Sequence, residues 1–361
     1  MMRENNLLMM LLITILIVGC SVDIGDGNPT KAATRAAASP NVAATAALPS
    51  PTPPAWADLK INGTLIYTQG LSGVIKLDLA TGKSVTLFKP PKDAWLRDAA
   101  ASPDQKTLLI SYAPPPPAGE PQFGYTDLYV MPIEGGDLKE IIKRKDSQES
   151  FFHATWSPDG KFIYYAHFTP IDNPNNQRTF KYTVERIAYP NGKAEVLIEN
   201  AIWPRLSHDG KKMAYLSLDP KTFVNELLLA DPDGKNGKAV IPPNTFTAVD
   251  AHFFSPDDSA IVFSAVGEGK TSSLTWIDRL LGVGQANAHD VPSDWWKIDL
   301  KTGKMERLTR IYDVGLYGGF SPDGKHIGFI AVSGVYVMKA DGNNLTPITT
   351  VSAVGTLEWV P

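Results

Sequence analysis

Trp156-Ser-Pro-Asp-Gly160 (WSPDG) decides the fold, because close copies of this stretch recur along the chain. The other copies are Ala101-Ser-Pro-Asp-Gln105, Leu206-Ser-His-Asp-Gly210, Phe254-Ser-Pro-Asp-Asp258, Phe320-Ser-Pro-Asp-Gly324 and the truncated Trp359-Val-Pro361. Pro presets the second position of a turn, Ser and Asp accept backbone N–H bonds, and Gly takes the left-handed conformation. We call each copy a marker turn. Six copies predict six structural repeats.

Each complete marker turn is followed by a run of β-forming residues. Phe162-Ile-Tyr-Tyr-Ala166 is one example. A second strand then leads into a Gly-containing hairpin, as in Val335-Tyr-Val-Met338 before Asp341-Gly342, and a short strand follows. The period of about 40 to 65 residues therefore holds four strands, the innermost lying just before the marker turn. Such units bury both sheet faces by radial stacking, so we predict an all-β, six-bladed β-propeller with four-stranded blades.

The two ends of the domain complete each other. The final segment, Gly355-Thr-Leu-Glu-Trp-Val-Pro361, supplies an innermost strand but lacks the strand that should follow its turn. Thr64-Leu-Ile-Tyr67 matches that missing strand. We expect both ends to share one blade and close the ring without an open edge, which predicts a monomer.

The repeated Ser-Pro-Asp-Gly turn followed by an aromatic or aliphatic strand resembles the PD-type repeats of TolB-like six-bladed propellers. The resemblance covers about residues 59–361. It implies the fold, whereas the function stays open because this fold has many activities. TolB proteins also carry an α/β domain ahead of the propeller, and this chain has a different kind of segment there.

The N-terminal segment predicts export and lipid attachment. The apolar run Leu7–Val18 is too short to span a bilayer and is typical of a secretion signal. It ends in Ile17-Val18-Gly19-Cys20, which resembles a bacterial lipobox with Cys20 as the lipidated residue. We predict a signal peptide at 1–19, a flexible Ala/Thr/Pro tether at 20–58 and the propeller at 59–361. The predicted location is extracytoplasmic, anchored to a bacterial membrane.

Charge and motifs narrow the function classes. The net charge of -4 and the pI near 5.9 give no basic surface for nucleic acid. Cys20 is the only cysteine, which excludes an internal disulfide. The sequence contains no Gly-x-Ser-x-Gly, His-Glu-x-x-His or phosphate-loop motif, so it predicts neither catalytic residues nor a cofactor. A non-catalytic binding module for a protein, peptide or glycan is the favoured interpretation.

The connections between second and third strands vary most in length, which marks one side of the ring as the insertion-bearing face. The long ones are Ala113 to Thr126, Phe168 to Lys181 and Val266 to Ser293. The last contains an apolar stripe at helical spacing, and either packing on its own domain or contact with a partner or lipid would explain it. The candidate partner-contact residues of this stripe are Trp276, Ile277, Leu280 and Leu281.

Polar and aromatic residues on the innermost strands form a second candidate site, in the central channel. This set comprises Arg97, Asp98, His153, Trp203, Arg205, His252, Tyr317 and Glu358. Some TolB-like propellers are polysaccharide lyases that bind a divalent metal through channel histidines. The resemblance therefore leaves open a metal-dependent lyase that uses His153 and His252.

Overall fold

The computed structural model describes residues 54–117, 125–172, 178–219, 225–267 and 291–361. Their strands form six four-stranded antiparallel sheets. Blade 1 contains β24 (Leu357–Val360), β1 (Thr64–Thr68), β2 (Val74–Asp78) and β3 (Ser84–Phe88). Blade 2 contains β4 (Trp95–Ala101), β5 (Thr107–Ala113), β6 (Asp127–Pro132) and β7 (Lys139–Ile142). Blade 3 contains β8 (Ser150–Trp156), β9 (Phe162–Asp172), β10 (Arg178–Ala188) and β11 (Ala194–Glu199).

The other three blades repeat this order from the inner to the outer strand. Blade 4 contains β12 (Ala201–Leu206), β13 (Met213–Leu218), β14 (Asn225–Ala230) and β15 (Lys238–Ala239). Blade 5 contains β16 (Ala248–Phe254), β17 (Ala260–Val266), β18 (Asp294–Asp299) and β19 (Met305–Arg307). Blade 6 contains β20 (Tyr317–Phe320), β21 (His326–Ala331), β22 (Gly334–Lys339) and β23 (Thr346–Thr349). The predicted six-bladed β-propeller is confirmed.

The ring closes in blade 1, as the sequence predicts. β24 pairs antiparallel with β1, and Trp359 lies opposite Leu65. Thr356 ties this joint to blade 2, since its hydroxyl donates to the Ala99 carbonyl at 2.7 Å. The Trp359 indole donates to the Asn62 carbonyl at 3.0 Å. Strand pairing between the two ends therefore removes the open edge.

The marker turns share one hydrogen-bond pattern. In each of the five complete copies the Ser hydroxyl donates to the carboxylate of the Asp two residues later, at 2.6–2.7 Å. The Ser oxygen also accepts the N–H that starts the next strand, as from Phe162 to Ser157 at 2.9 Å. Gln105 and Asp258, which replace the turn glycine, have φ of 55° and 56°. The turn therefore keeps its left-handed position even without Gly.

The core lies between neighbouring blades, whose strand faces pack against one another. Trp295, Tyr165 and Phe263 are among its largest fully buried side chains. Apolar residues fill both faces of the middle strands, as at Ile327 to Ala331. Burial of apolar area on this scale is the main stabilising contribution to such a fold.

Folded packing begins at Trp56, ahead of the predicted boundary at Leu59. The Trp56 ring is buried and its indole donates to the Leu79 carbonyl at 2.8 Å. A short 3-10 turn, Ala57–Leu59, follows. Leu79 lies just past β2, on the same face as the marker turns, and Pro361 ends on that face too. Both ends of the propeller therefore lie on the marker-turn face.

Two predicted features fall outside the described residues. These are Cys20 with its tether, and the apolar stripe with Trp276, Ile277, Leu280 and Leu281. The insertion after Phe168 is largely strand, because β9 and β10 extend as an eleven-residue pair from Arg178 opposite Asp172. Across the described part of the chain, no helix is long and apolar enough to span a membrane.

Candidate functional site

The innermost strands carry the predicted channel residues, and irregular pairing positions several of them. Register shifts interrupt the pairing of β4, β8, β12 and β16 with their neighbours. His153 and Trp203, each four residues before a marker serine, have φ of 51° and 59°. Bulges of this kind re-aim side chains away from the regular strand alternation.

Three rings stack against one another in the middle of the channel. His153 stacks on Trp203 with centroids 3.9 Å apart, and Trp203 stacks on Tyr317 at 4.9 Å. Trp203 belongs to blade 4 and Tyr317 to blade 6, which are not neighbours, so their contact crosses the channel. This aromatic layer (His153, Trp203, Tyr317) lies between the marker-turn half of the channel and the half toward the insertion-bearing face.

The half on the marker-turn side holds a cavity of about 550 Å³. Its mouth is lined by residues of the marker turns, among them His208, Pro256 and Pro322. Deeper, the wall contains Arg205 and Glu358, and Trp203 and Tyr317 contribute to it as well. A volume of this size accommodates a ligand of a few sugar rings or amino acids. We call it the channel cavity.

Arg205 and Glu358 come from blades 4 and 1, which are opposite in a ring of six. Both side chains are partly exposed to the cavity although they lie inside the ring. Burial raises the pKa of Glu358 to about 7, against the opposing charge of Arg205. Burial also lowers the pKa of Arg205, although the negative charges of Glu358 and Asp98 oppose this decrease. Each charge therefore lacks most of the water that would stabilise it.

Arg97 and Asp98, on the innermost strand β4, lie beside His153 of the aromatic layer. A carboxylate oxygen of Asp98 accepts the His153 backbone N–H at 2.7 Å and lies 3.8 Å from Arg97 Nε. Burial raises the pKa of Asp98, although Arg97 and this hydrogen bond oppose the rise. Arg97 also lies over the Phe152 ring, 4.2 Å from its centroid. These residues link blades 2 and 3.

His252 is buried beside the backbone of Trp203 and Ala214, on neighbouring blade 4. Burial lowers its pKa to about 3, with the Arg205 charge adding to the effect, so its ring is neutral. His252 and His153 lie on either side of Trp203, whose ring is 6.2 Å from His252 and 3.9 Å from His153. In the described residues no three His, Cys, Asp or Glu side chains converge as metal ligands.

Sequence reasoning missed a polar cluster in blade 3 toward the insertion-bearing face. The two ring nitrogens of His167 bond to Glu149 and Glu185, both at 2.8 Å. Tyr165 donates a further bond to Glu185 at 3.0 Å. The pKa of His167 is raised because its bonds to Glu185 and Glu149 outweigh burial, which alone would lower it. Strand pairing alone does not reveal these partners, so the sequence did not predict this cluster.

Thr155 and Phe253 of the cavity wall were also missed. They share one sequence position with Arg205 and Glu358, two residues before the marker serine or its equivalent. Alignment of the six repeats on that serine would have identified this layer. The sequence analysis chose residues by polar or aromatic character near the marker turns, which identified Arg205 and Glu358 but not Thr155 and Phe253.

No protein-family model matches the chain, and no curated protein sequence matches it either. Solved structures do match the fold of the chain. TolB from Acinetobacter baumannii superposes with a TM-score of 0.59 at 15% identity, over 83% of this chain and 67% of that one. A putative TolB from Agrobacterium tumefaciens gives 0.53 at 15% identity, over 83% and 99% of the two chains.

An oligogalacturonate lyase from Vibrio parahaemolyticus is also similar, with a TM-score of 0.47 at 11% identity, over 79% of this chain and 78% of that one. A likeness this low supports no argument about activity. At 15% identity the TolB structures establish the fold, and the chain is a TolB-like six-bladed β-propeller.

Proposed function

We propose that this protein is a non-catalytic binding module, held by lipid on Cys20 to the extracytoplasmic side of a bacterial membrane. Its ligand is a protein, peptide or glycan, part of which enters the channel cavity. The observation that supports this proposal is the cavity of about 550 Å³ with Arg205 and Glu358 on opposite walls. Charged side chains in a partly desolvated, preformed cavity are typical of ligand sites.

The position of this cavity favours the marker-turn side as the side on which the ligand binds. Marker-turn residues line the cavity that contains Arg205 and Glu358, so a ligand on this side reaches both residues past the marker turns. The insertion-bearing face offers a different surface, with Phe180 exposed by 43% and stacked on Phe168 at 4.6 Å. A larger partner would use that surface, so the experiment has to compare both faces.

Site-specific photo-crosslinking in living cells makes this comparison. A benzoylphenylalanine is placed at Thr155 in the cavity wall, at Phe180 on the insertion-bearing face, or at Val85 on the outer strand β3 as the control. Val85 is exposed by 61% and far from both candidate surfaces. We expect adducts at Thr155 that are absent at Val85. Adducts only at Phe180 would move the site to the other face, and identical patterns at all three positions would contradict a specific binding module.

Membrane attachment is tested separately. Cells that express the protein are labelled with an alkyne fatty acid, and the Cys20→Ser variant is the control. We expect label and membrane-fraction protein for the wild type, and loss of both for the variant. Equal labelling of the two proteins would disprove lipidation of Cys20.

A further inference from the structure

Arg205 and Glu358 carry opposite charges in the same cavity, yet neither forms an ion pair with any residue in the described part of the chain. Arg205 Nη1 donates to the backbone carbonyls of Pro204 at 3.2 Å and His153 at 3.5 Å, which fixes the side chain. These two bonds use one of the three guanidinium nitrogens. The remaining N–H groups form a planar fork of the kind that matches a carboxylate.

Glu358 lines the same cavity as Arg205, from the opposite blade. A buried carboxyl group that keeps its proton donates a hydrogen bond, whereas its ionised form only accepts. Burial raises its pKa to about 7 and the Arg205 charge limits the rise, so both forms are populated near neutral pH. Glu358 therefore presents either a donor or a competing negative charge to a ligand.

The other titratable groups of the cavity leave Arg205 as its fixed cation. Burial keeps His252 neutral, since its pKa falls to about 3. Tyr317 keeps its phenolic proton because burial, with Asp98 and Asp250 nearby, raises its pKa. His208 stands at the mouth and bonds to Asp258 through Nδ1 at 2.8 Å. An anion inside the cavity therefore meets one cation and one carboxyl group whose proton is exchangeable.

We propose that the channel cavity binds the carboxylate of its ligand between the Arg205 guanidinium and the protonated Glu358 carboxyl, and releases it when Glu358 ionises. The proposal rests on the binding function above and names its chemistry. The protonated carboxyl donates one hydrogen bond to the anion, and Arg205 supplies two. After ionisation two carboxylates would compete for one guanidinium in a site of low dielectric, where like charges repel strongly.

Calorimetric titration of the purified full-length protein tests this with two pairs of probes. Glucuronate is compared with glucose, and trialanine with its C-terminal amide, because the two members of each pair differ in the carboxylate. The first pair represents a sugar ligand and the second a peptide ligand. We expect at least one carboxylate probe to bind, about tenfold more weakly at pH 8 than at pH 6, as a group of pKa near 7 requires. The neutral member of that pair should bind at least about tenfold more weakly at pH 6.

Two substitutions separate the roles of Glu358 and Arg205 in ligand binding. Glu358→Gln keeps a hydrogen-bond donor without a titrating group, so its affinity should be the same at both pH values. Arg205→Met should weaken binding at both pH values by about tenfold or more. Arg186→Met is the matched control, because Arg186 lies on β10 and pairs with Glu195 outside the channel. Its affinity should equal that of the wild type.

Three results would overturn the inference. They are no binding of either carboxylate up to about 10 mM, wild-type affinity that does not change with pH, or an Arg205→Met protein that is folded and binds normally. Cross-links at Thr155 without carboxylate binding would leave the binding function intact and remove only this chemistry. Loss of those cross-links as well would count against both proposals.

Discussion

The two faces of the propeller are built in different ways. On the marker-turn face, five turns repeat the same Ser–Asp hydrogen bond at 2.6–2.7 Å. On the insertion-bearing face each connection is particular to its blade, as in the long β9–β10 pair with Phe180 on its surface. Repeated turn chemistry therefore fixes the scaffold, while the features specific to this chain lie at non-repeated positions.

The marker-turn face has one informative irregularity. His208 stands where the other marker turns have Pro, and Asp258 stands where three of the other complete copies have Gly. Asp258 accepts the His208 backbone N–H at 2.8 Å and the Asp209 N–H at 3.0 Å. Proline would have no N–H to donate, so the two departures from the repeat complement each other across blades 4 and 5. Even here the difference is a paired substitution rather than a loss of the turn.

The strongest way to break the scaffold is to remove its closing strand. Deletion of residues 355–361 removes the buried side chains of Leu357 and Trp359 and the hydroxyl bond from Thr356 to Ala99. We expect a loss of at least about 5 kcal/mol in the free energy of unfolding, comparable with the stability of many whole domains. Thermal denaturation followed by circular dichroism measures it, with deletion of the exposed Pro361 alone as control. An unchanged melting temperature would refute the closure.

The paired irregularity is tested by a double-mutant cycle. His208→Pro removes the N–H and the imidazole, Asp258→Gly removes the carboxylate, and each single change should destabilise the protein by about 1 kcal/mol. The double variant restores the common turn, so it should lose less than the sum of the two. Chemical denaturation gives the four free energies.

Gly324→Asp is the matched control for this cycle. The residue opposite it in the preceding marker turn is Pro256, whose ring lies 3.1 Å from the position of an added Cβ. Pro256 has no N–H to donate, so only the Asp257 N–H would remain for the new carboxylate. Because Gly324 also has a left-handed φ of 71°, which disfavours a side chain, we expect no stabilisation. Strictly additive losses in the cycle, or a gain from Gly324→Asp, would contradict the compensation.

The smallest expected effect lies toward the insertion-bearing face, in the pH dependence contributed by His167. Its folded pKa is raised, so its stabilising contribution is complete below the unfolded value and is lost as pH rises through the folded value. The pKa of Glu185 is lowered by its bonds to His167, although burial opposes this, and its contribution is lost only toward acid pH. Between pH 6 and pH 9 the wild type should lose about 1 kcal/mol more than His167→Gln.

Urea unfolding at the two pH values measures this difference. The polar groups that contact the His167 ring are Glu149, Glu185 and the Thr169 hydroxyl, and all three stay in the variant. His326→Gln is the control, because burial lowers the pKa of His326 and it has no such carboxylate pair. Equal pH slopes for wild type and His167→Gln would show that the cluster does not depend on the His167 charge.

The sequence predicted those features of the fold that local residue chemistry determines. Turns such as Ser157 to Gly160 and the strands after them follow from turn preferences and side-chain alternation, and the pairing of Thr64–Thr68 with the C-terminal strand follows from the repeat count. The site was predicted less fully. The aromatic layer depends on bulges at His153 and Trp203, and His252 turns toward blade 4. Such positions depend on packing between blades, which a repeat pattern does not encode.

Trp56 and Pro361 both lie on the face where the channel cavity opens, and this affects how the protein can be handled. Immobilisation directly at Trp56 or Pro361 would turn the cavity toward the support and present the insertion-bearing face to the solution. A binding assay on a surface would then underestimate the binding of small ligands to the cavity and favour the detection of large partners that bind the insertion-bearing face. Attachment through a cysteine introduced at Ile171, which is exposed by 40% near the tip of the β9–β10 hairpin, reverses this orientation.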